Sequence, residues 1–350
     1  MKFNGNSLTW DDLITLEYGK PISDKNSTDG KVPIFGTNGK IGTSHLTSLC
    51  KIPSFIVGRK GAYRGVHYSN IPFSVIDTAF YAMPISDELD MKWAYYKFLT
   101  YDINRMNSGS AIPSTDRYEI YRIPVTLPPV SIQKRIVSIL DSISDKITLN
   151  NAINENLEHQ AQAIFDSFFS DISNGNTKIG DYITPKRGKS LLSKNAITGN
   201  VPVVAGGLEP ATYHNIANTK APVLTISASG ANAGFVNLWH IPIWSSDSSF
   251  IDSNMTNHVY FWYILLKKRQ KEIFDSQTGS AQPHIYPKHI TIMPIKNIHI
   301  DDIKEFTDSV TFLFKLMGNN KKENQRLSAL RDTLLPKLMN GEIDVSKINI

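Results

Sequence analysis

The sequence is poor in cysteine and has no long hydrophobic run. Its 350 residues include one cysteine, Cys50, which excludes an intramolecular disulfide framework and any zinc module built from several cysteines. Nowhere do eighteen apolar residues follow one another, and residues 1–6 lack the apolar core of a signal peptide. These absences predict a protein without a membrane span, and the single thiol favours a reducing compartment such as the cytoplasm.

The sequence also lacks the short motifs that carry common enzyme chemistry. It has no G-x-x-x-x-G-K-[ST] phosphate loop, no H-E-x-x-H zinc motif, no pair of cysteines and no glycine-rich cofactor motif between a strand and a helix. Its nine histidines lie at no spacing that is typical of metal ligands. We therefore predict no catalytic residue, no metal site and no bound cofactor in this chain.

What the sequence does have is an internal duplication at an offset of 169 to 170 residues. This period is too long for a solenoid and is suited to two domains of one ancestry, each followed by a long helix. The repeated residues are Gly19-Lys20 and Gly188-Lys189, Val32-Pro33 and Val201-Pro202, Gly61-Ala62 and Gly230-Ala231, Asp77 and Asp247, Phe80 and Phe250, Gly109-Ser110-Ala111 and Gly279-Ser280-Ala281, and Pro124 and Pro294.

The duplication is sharpest in two segments with the apolar pattern of a coiled coil. Ten seam positions, four and three residues apart, correspond between the segments, and only Ala161 against Arg331 breaks the match. A 3.5-residue repeat over almost five heptads is typical of a coiled-coil helix. The positions are Ile136, Leu140, Ile143, Ile147, Asn150, Asn154, Leu157, Ala161, Ile164 and Phe168, then Phe306, Val310, Leu313, Met317, Asn320, Asn324, Leu327, Arg331, Leu334 and Leu338.

Two asparagines lie near the middle of each seam, Asn150 and Asn154 in the first and Asn320 and Asn324 in the second. A buried carboxamide is costly unless another polar group satisfies it, so its usual role is to fix register and partner. The first helix leads into the second domain and the second helix leads out of it. This connectivity favours an antiparallel pair with a pseudo-two-fold axis through the asparagines.

Within each domain, short β-branched and aromatic runs bounded by glycine and proline predict strands. One helix is expected at about residues 91–105 and again at about 257–274. The predicted fold class is mixed α/β, with two homologous globular domains separated by two long antiparallel coiled-coil helices. The expected boundaries are residues 1–130 for the first domain, 131–172 for the central helical spacer, 173–300 for the second domain and 301–350 for the distal helical spacer with a C-terminal tail.

Positive charge is concentrated in the two domains. Lysine and arginine exceed aspartate and glutamate by eight in residues 1–130 and 173–300 together, whereas acidic residues are in excess by three in residues 131–172 and 301–342. This distribution fits a polyanion held by the domains, with the helices facing protein.

The helical segments resemble a known family. The central helical region of the DNA-sequence-specificity subunit of type I restriction-modification systems is similar to LPPVSIQKRIVSILDSISDKITLNNAINENLEHQAQAIFDSFF, and the family's distal helical region resembles RLSALRDTLLPKLMNGEI. The order domain, helix, domain, helix extends the resemblance over the whole chain.

The resemblance implies a function and partners. Each domain would be a target recognition domain that reads one half of a split double-stranded DNA site, and the coiled coil would set the spacer. Two modification subunits would methylate adenine at N6 with S-adenosylmethionine, and restriction subunits would add ATP-driven translocation and Mg²⁺-dependent cleavage. The specificity subunit itself would not be an enzyme.

The first candidate DNA-reading loop is residues 58–65, which combines three cations with glycines that let the backbone approach a phosphate. Its counterpart, residues 227–234, keeps the glycines and has no cation. Shared glycines indicate a shared backbone shape, and different side chains indicate different DNA sequences.

The second candidate loop is residues 105–113 and, in the repeat, 276–284. It is nearly the same in both domains except at Gln282, which can pair bidentately with adenine where Ile112 cannot. The candidate DNA-binding residues of both loops and of nearby cationic positions are Arg59, Lys60, Arg64, Arg105, Asn107, Ser110, Arg117, Lys186, Arg187, Ser229, Asn232, Ser280, Gln282, His284 and Lys288.

Two other interpretations stay open. One is a fused DNA methyltransferase or nuclease with an unrecognised catalytic motif. The other is a duplicated adaptor whose domains bind protein rather than nucleic acid. Neither accounts for two diverged domains of one ancestry on a symmetric spacer.

Overall fold

The computed structural model describes residues 7–25, 27–106, 113–279, 282–346 and 348, which form two compact units. Unit 1 is Met1–Ile147 with Gln325–Ile350, and unit 2 is Thr148–Asn324. Each unit therefore contains one globular α/β part and half of each long helix, a division that differs from the four segments expected from the sequence. Among the described residues, no helix combines the length and hydropathy needed to cross a bilayer.

The described part of unit 1 forms nine strands in three small sheets. They are β1 (Ser7–Thr9), β2 (Ile14–Tyr18), β3 (Val32–Gly36), β4 (Gly39–Ser44), β5 (Ser54–Gly58), β6 (Val66–Ser69), β7 (Ser74–Val75), β8 (Ala79–Pro84) and β9 (Pro124–Thr126). The order β2-β8-β5-β6 forms an antiparallel sheet, β4-β3-β7 forms a second sheet in which β3 and β7 are parallel, and β1 pairs with β9. The core beneath the first sheet includes Trp10, Phe55 and Trp93.

The helices of unit 1 begin at acidic caps. Helix α1 (Met91–Phe98) starts after Asp90, whose carboxylate accepts hydrogen bonds from two backbone amides, and helix α2 (Arg117–Tyr121) starts after Asp116, whose carboxylate accepts one from the Tyr118 amide. The long helix α3 (Val130–Phe168) follows. The sequence prediction of one helix over residues 91–105 is wrong after Phe98, where the Thr100 hydroxyl donates to a main-chain carbonyl and competes with helical bonding.

Unit 2 repeats this arrangement strand by strand. Its strands are β10 (Thr177–Lys178), β11 (Lys186–Arg187), β12 (Val201–Val204), β13 (Thr212–His214), β14 (Val223–Ser227), β15 (Val236–Trp239), β16 (Trp244–Ser245), β17 (Ser248–Asp252) and β18 (Pro294–Ile295). The orders β11-β17-β14-β15 and β13-β12-β16 match those of unit 1, and β10 pairs with β18. The predicted duplication and mixed α/β fold class are confirmed.

Unit 2 contains the helices α4 (Val259–Lys268), α5 (Gln270–Asp275) and α6 (Pro287–Thr291), and it shares the long helix α7 (Ile300–Met339) with unit 1. The helix predicted over residues 257–274 is interrupted at Arg269, whose guanidinium is buried and donates to the Pro294 carbonyl at 2.7 Å. The short helices α2 and α6 were not predicted, because five residues are too few to show a helical apolar period.

The seam of α3 departs from the predicted heptads at its C-terminal end. Phe165 is 1% exposed, whereas Phe168, the expected seam residue, is 37% exposed. Phe165 packs against Phe261 of α4 and Phe306 of α7, with ring centroids 5.7 and 5.4 Å apart. This end of α3 packs its Phe165 face against the core of unit 2. Packing against that core, rather than the heptad repeat, therefore decides which residues of α3 are buried there.

The four seam asparagines pair across α3 and α7. Asn150 Nδ2 donates to Asn324 Oδ1 at 2.8 Å and to Glu323 Oε2 at 2.7 Å, and Asn320 Nδ2 donates to Asn154 Oδ1 at 2.9 Å. Residue numbers increase along α3 from Asn150 to Asn154 while those of their partners in α7 decrease from Asn324 to Asn320. The halves of α3 and α7 in unit 2 are therefore antiparallel. Asn150 is 1% exposed, and its carboxamide is therefore satisfied by protein rather than by water.

We expect Asn150→Ala to lower the free energy of unfolding by about 1–3 kcal/mol, because it removes the donor to two acceptors in a buried layer. Denaturant unfolding measures the change. Asn156→Ala is the matched control, because Asn156 is exposed on the same helix, and its effect should stay within about 0.5 kcal/mol. Equal effects of the two substitutions would contradict a structural role for the layer.

Candidate nucleic-acid interface

The two candidate loops of each unit join into one surface. The Gly61 amide donates to the Pro113 carbonyl at 3.0 Å, and the Gly230 amide donates to the Pro283 carbonyl at 3.1 Å. Both glycines have positive φ, 124° and 81°, which disfavours any side chain at these positions. The repeated glycines therefore hold the first loop against the second in the same way in both units.

In unit 1 the cations of the first loop are held by neighbouring side chains. The Arg59 guanidinium lies 5.0 Å from the centroid of the Tyr18 ring, and Lys60 Nζ is 3.5 Å from Asp77 Oδ2. Lys60 and Asp77 are both about half exposed, so their ion pair is screened by solvent and weak. Both cations reach the surface formed by the joined loops.

Arg64 requires a correction, because it is 2% exposed and cannot reach a phosphate. Its Nη1 donates to the Met106 carbonyl at 2.7 Å and to Thr115 Oγ1 at 2.9 Å, and its Nη2 donates to the Asn104 carbonyl at 2.7 Å. The side chain fixes the ends of the second loop from inside. The sequence prediction of DNA contact is therefore wrong for this residue.

The remaining candidates of unit 1 lie at different places. Arg117, the first residue of α2, lies with its guanidinium 4.9 Å from the Tyr18 ring centroid. Arg105 is exposed and pairs with Asp102 at 2.9 Å. Asn107, Ser110 and, in the repeat, Ser280 lie outside the described residues.

In unit 2 the repeated carboxylate Asp247 organises the corresponding surface. Arg187 Nη2 donates to Asp247 Oδ1 at 2.6 Å, and the Ser229 hydroxyl donates to Asp247 Oδ2. Asp77 receives Lys60 at the matching position of unit 1. The repeated aspartate is thus a shared acceptor for polar side chains that differ between the units.

The other candidates of unit 2 lie in β11, in the two loops and in α6. His284 stacks on Tyr286 with ring centroids 5.9 Å apart and planes 17° apart. Its backbone bridges to Ser229, which joins the two loops. Lys186, Gln282 and Lys288 are exposed, and Asn232 is partly buried.

The described residues include few groups placed for metal or thiol chemistry. They contain no group of three or more histidine, cysteine, aspartate or glutamate side chains placed to hold a metal ion. Cys50 is a free, buried thiol, and burial raises its pKa. The arrangement supplies hydrogen-bond donors, cations and aromatic faces, which are the groups that contact phosphates and base edges in nucleic-acid interfaces.

Sequence reasoning missed Tyr18, Tyr118 and the pairing role of the repeated aspartates. Tyr18 precedes Gly19 as Arg187 precedes Gly188, so the two copies share a backbone and differ in side chain at this position. That difference between the copies is the signal in the sequence that could have identified Tyr18.

Comparisons with known proteins agree with this architecture. Residues 7–159 match the model of the type I restriction modification DNA specificity domain. A putative type I specificity subunit of Mycoplasma genitalium is 22% identical over 97% of this chain and 95% of its own length. The specificity subunit of the type I restriction enzyme MjaIX of Methanocaldococcus jannaschii is 24% identical over 75% of this chain and 71% of its own length.

A solved structure has a similar fold. The crystal structure of a type I restriction-modification S subunit from M. genitalium has a TM-score of 0.61 and 21% identity, and the match covers 96% of both chains. The doubled mixed α/β unit with two long helices is therefore the fold that this chain shares with that S subunit. The chain is thus similar to type I restriction-modification specificity subunits in sequence along most of its length and in fold.

Proposed function

We propose that the chain reads a bipartite, asymmetric double-stranded DNA site, with one half-site contacted by each unit. The observation that carries this proposal is a repeated loop scaffold with unlike side chains. The bonds from Gly61 to Pro113 and from Gly230 to Pro283 are the same in both units. One scaffold that presents two different sets of polar side chains is suited to two different base sequences.

The proposed contact residues are those that reach the joined loops, without the buried Arg64. They combine cations, which bind phosphates or base edges, with amides, hydroxyls and rings suited to base edges. They are Arg59, Lys60, Arg105 and Arg117 in unit 1, and Lys186, Arg187, Ser229, Asn232, Gln282, His284 and Lys288 in unit 2.

In this proposal the coiled coil sets the spacer and the chain recruits two modification subunits and the restriction subunits. The modification subunits bring S-adenosylmethionine and methylate adenine at N6, and the restriction subunits bring ATP and Mg²⁺. The relatives that match along most of this chain support such partners, because their names place them in type I systems.

Duplex binding by the complex of this chain with its modification subunit should depend steeply on salt. Six or more phosphate contacts would weaken binding by about a thousandfold between 50 and 200 mM salt. Removal of one exposed cation by Lys186→Ala should lower the slope of log affinity against log salt by about one. Fluorescence anisotropy at a series of salt concentrations measures both.

The control variant is Lys51→Ala, which removes an exposed cation that precedes β5 in unit 1, at the opposite end of that strand from Arg59. Its salt slope should equal that of the unmodified chain. Weak binding that does not respond to salt would favour the alternative of a protein-binding adaptor.

A further inference from the structure

Unit 1 has two arginines around one exposed tyrosine. The Tyr18 ring centroid is 5.0 Å from the guanidinium carbon of Arg59 and 4.9 Å from that of Arg117. Tyr18 is 45% exposed and packs on the buried Phe80, with ring centroids 5.0 Å apart. The two cations therefore share a ring that is itself anchored on the core, and each gains from a cation–π contact.

Neither guanidinium has a carboxylate partner among the described residues. Arg59 makes no side-chain hydrogen bond in that part of the chain. Within the described ranges, Arg117 donates only to the Leu16 carbonyl and the Tyr118 hydroxyl, at 3.4 and 3.3 Å, and its buried Nε has no acceptor there. The two guanidinium carbons each lie about 5 Å from one ring centroid, so they are within about 10 Å of each other. Both guanidinium groups therefore have N–H donors available for a ligand rich in acceptors.

Comparison of matching positions in the two units helps to distinguish base contacts from phosphate contacts. The positions of Arg59 and Arg117 are occupied in unit 2 by Ala228 and Pro287. The backbone is shared, because the Arg59 and Ala228 carbonyls accept equivalent amide bonds of 2.8 and 3.0 Å and because α2 and α6 begin at Arg117 and Pro287. Half-sites have the same phosphates and differ in their bases, so a stacked arginine pair present in only one copy is suited to a base of that half-site.

We propose that Arg59 and Arg117 read guanine in the major groove of the half-site of unit 1, and that Tyr18 is the positioning residue that holds both. This inference rests on the proposed function. Guanine presents the O6 and N7 acceptors, to which the planar fork of arginine binds bidentately. Stacking on Tyr18 uses the face of each guanidinium and leaves its N–H edge for the base.

The test uses the complex with the modification subunit and a pool of randomised duplexes, from which bound sequences are selected and sequenced. The unmodified chain should select guanine at one or more positions of one half-site. Arg59→Ala and Arg117→Ala should each reduce the preference for guanine at one position by about tenfold to a hundredfold. The half-site of unit 2 serves as an internal control, because its selection shows that the variant complex is folded.

The role of Tyr18 has its own pair of variants. Tyr18→Phe keeps the ring and should keep the guanine preference, whereas Tyr18→Ala should reduce it at both arginine positions. A loss of equal size in both variants would overturn the positioning role, because the ring would not be what matters.

Duplexes with 7-deazaguanine at the selected positions separate base contact from phosphate contact. This base pairs normally and lacks N7, so the unmodified chain should bind it about tenfold more weakly, and Arg59→Ala should show no further loss at the position that Arg59 reads. If instead the arginine variants lost the same affinity for guanine duplexes as for 7-deazaguanine duplexes, and lost it uniformly over all sequences, these arginines would contact phosphates. That result would overturn the inference.

These outcomes differ from failure of the proposed function. A complex that selects no bipartite sequence would refute the function and the inference together. A complex that selects one, without guanine in the half-site altered by the unit 1 variants, would refute the inference alone.

Discussion

Exchange of residues 173–297 for the matching segment of a similar type I specificity subunit is expected to change one half of the methylated DNA site and to leave the other half and the spacer unchanged. The two ends of this segment lie side by side, because the Lys296 amide donates to the Ile172 carbonyl at 2.8 Å and β10 pairs with β18. A segment whose ends meet can be replaced without moving the elements that flank it.

Sequencing of methylated adenines in cells that contain the chimera and the modification subunit measures the result. The reciprocal exchange of residues 7–126 is the matched experiment, because Ser7 pairs with Thr126 at the same place in unit 1. It should change the other half-site only. A single exchange that altered both halves would contradict independent reading by the two units.

Duplication of one heptad in each long helix is expected to abolish methylation at the original spacing and to create it at a spacing about 3 base pairs longer. Seven residues add roughly 10 Å of helix, and one base pair occupies about 3.4 Å. The asparagine pairs fix where the two insertions must lie, because Asn154 is opposite Asn320. Repeating residues 155–161 in α3 and residues 313–319 in α7 keeps the new turns opposite each other and the asparagine layers intact.

The control is the same duplication in α3 alone, which leaves the new heptad without a partner and should lower stability and methylation together. Methylated sites are mapped as for the exchange. A folded double variant that kept the original spacing, with both half-sequences unchanged, would show that the helices do not measure the DNA.

The duplication made most of the fold predictable. Matches such as Gly61 with Gly230 lie at positions that need a positive φ, so they identify backbone geometry directly. The heptad seam and its asparagines predicted two long helices, because a sustained 3.5-residue apolar repeat keeps one face of a helix against its partner and fits no strand period. The pattern failed at Phe165 and Phe168, where burial is decided by the core of unit 2 rather than by the helix pair.

The candidate surface was less predictable, because sequence shows which residues have charge but not which way they face. Arg64 and Arg59 lie in one loop, yet the first is buried in a hydrogen-bond network and the second lies at the surface. Tyr18 is separated from Arg117 by almost one hundred residues, and only the fold brings them together. Contacts of this kind depend on tertiary packing, which no local pattern encodes.

Reading of two unlike half-sites by one chain is tested most directly by a map of N6-methyladenine in a cell that expresses this chain with its modification subunit, compared with the same cell after deletion of the chain. We predict that deletion removes methylation from one bipartite sequence, whose two half-sites differ and are separated by a fixed number of unspecified base pairs. Loss of methylation from a continuous or palindromic sequence, or a methylation pattern that deletion leaves unchanged, would contradict this function.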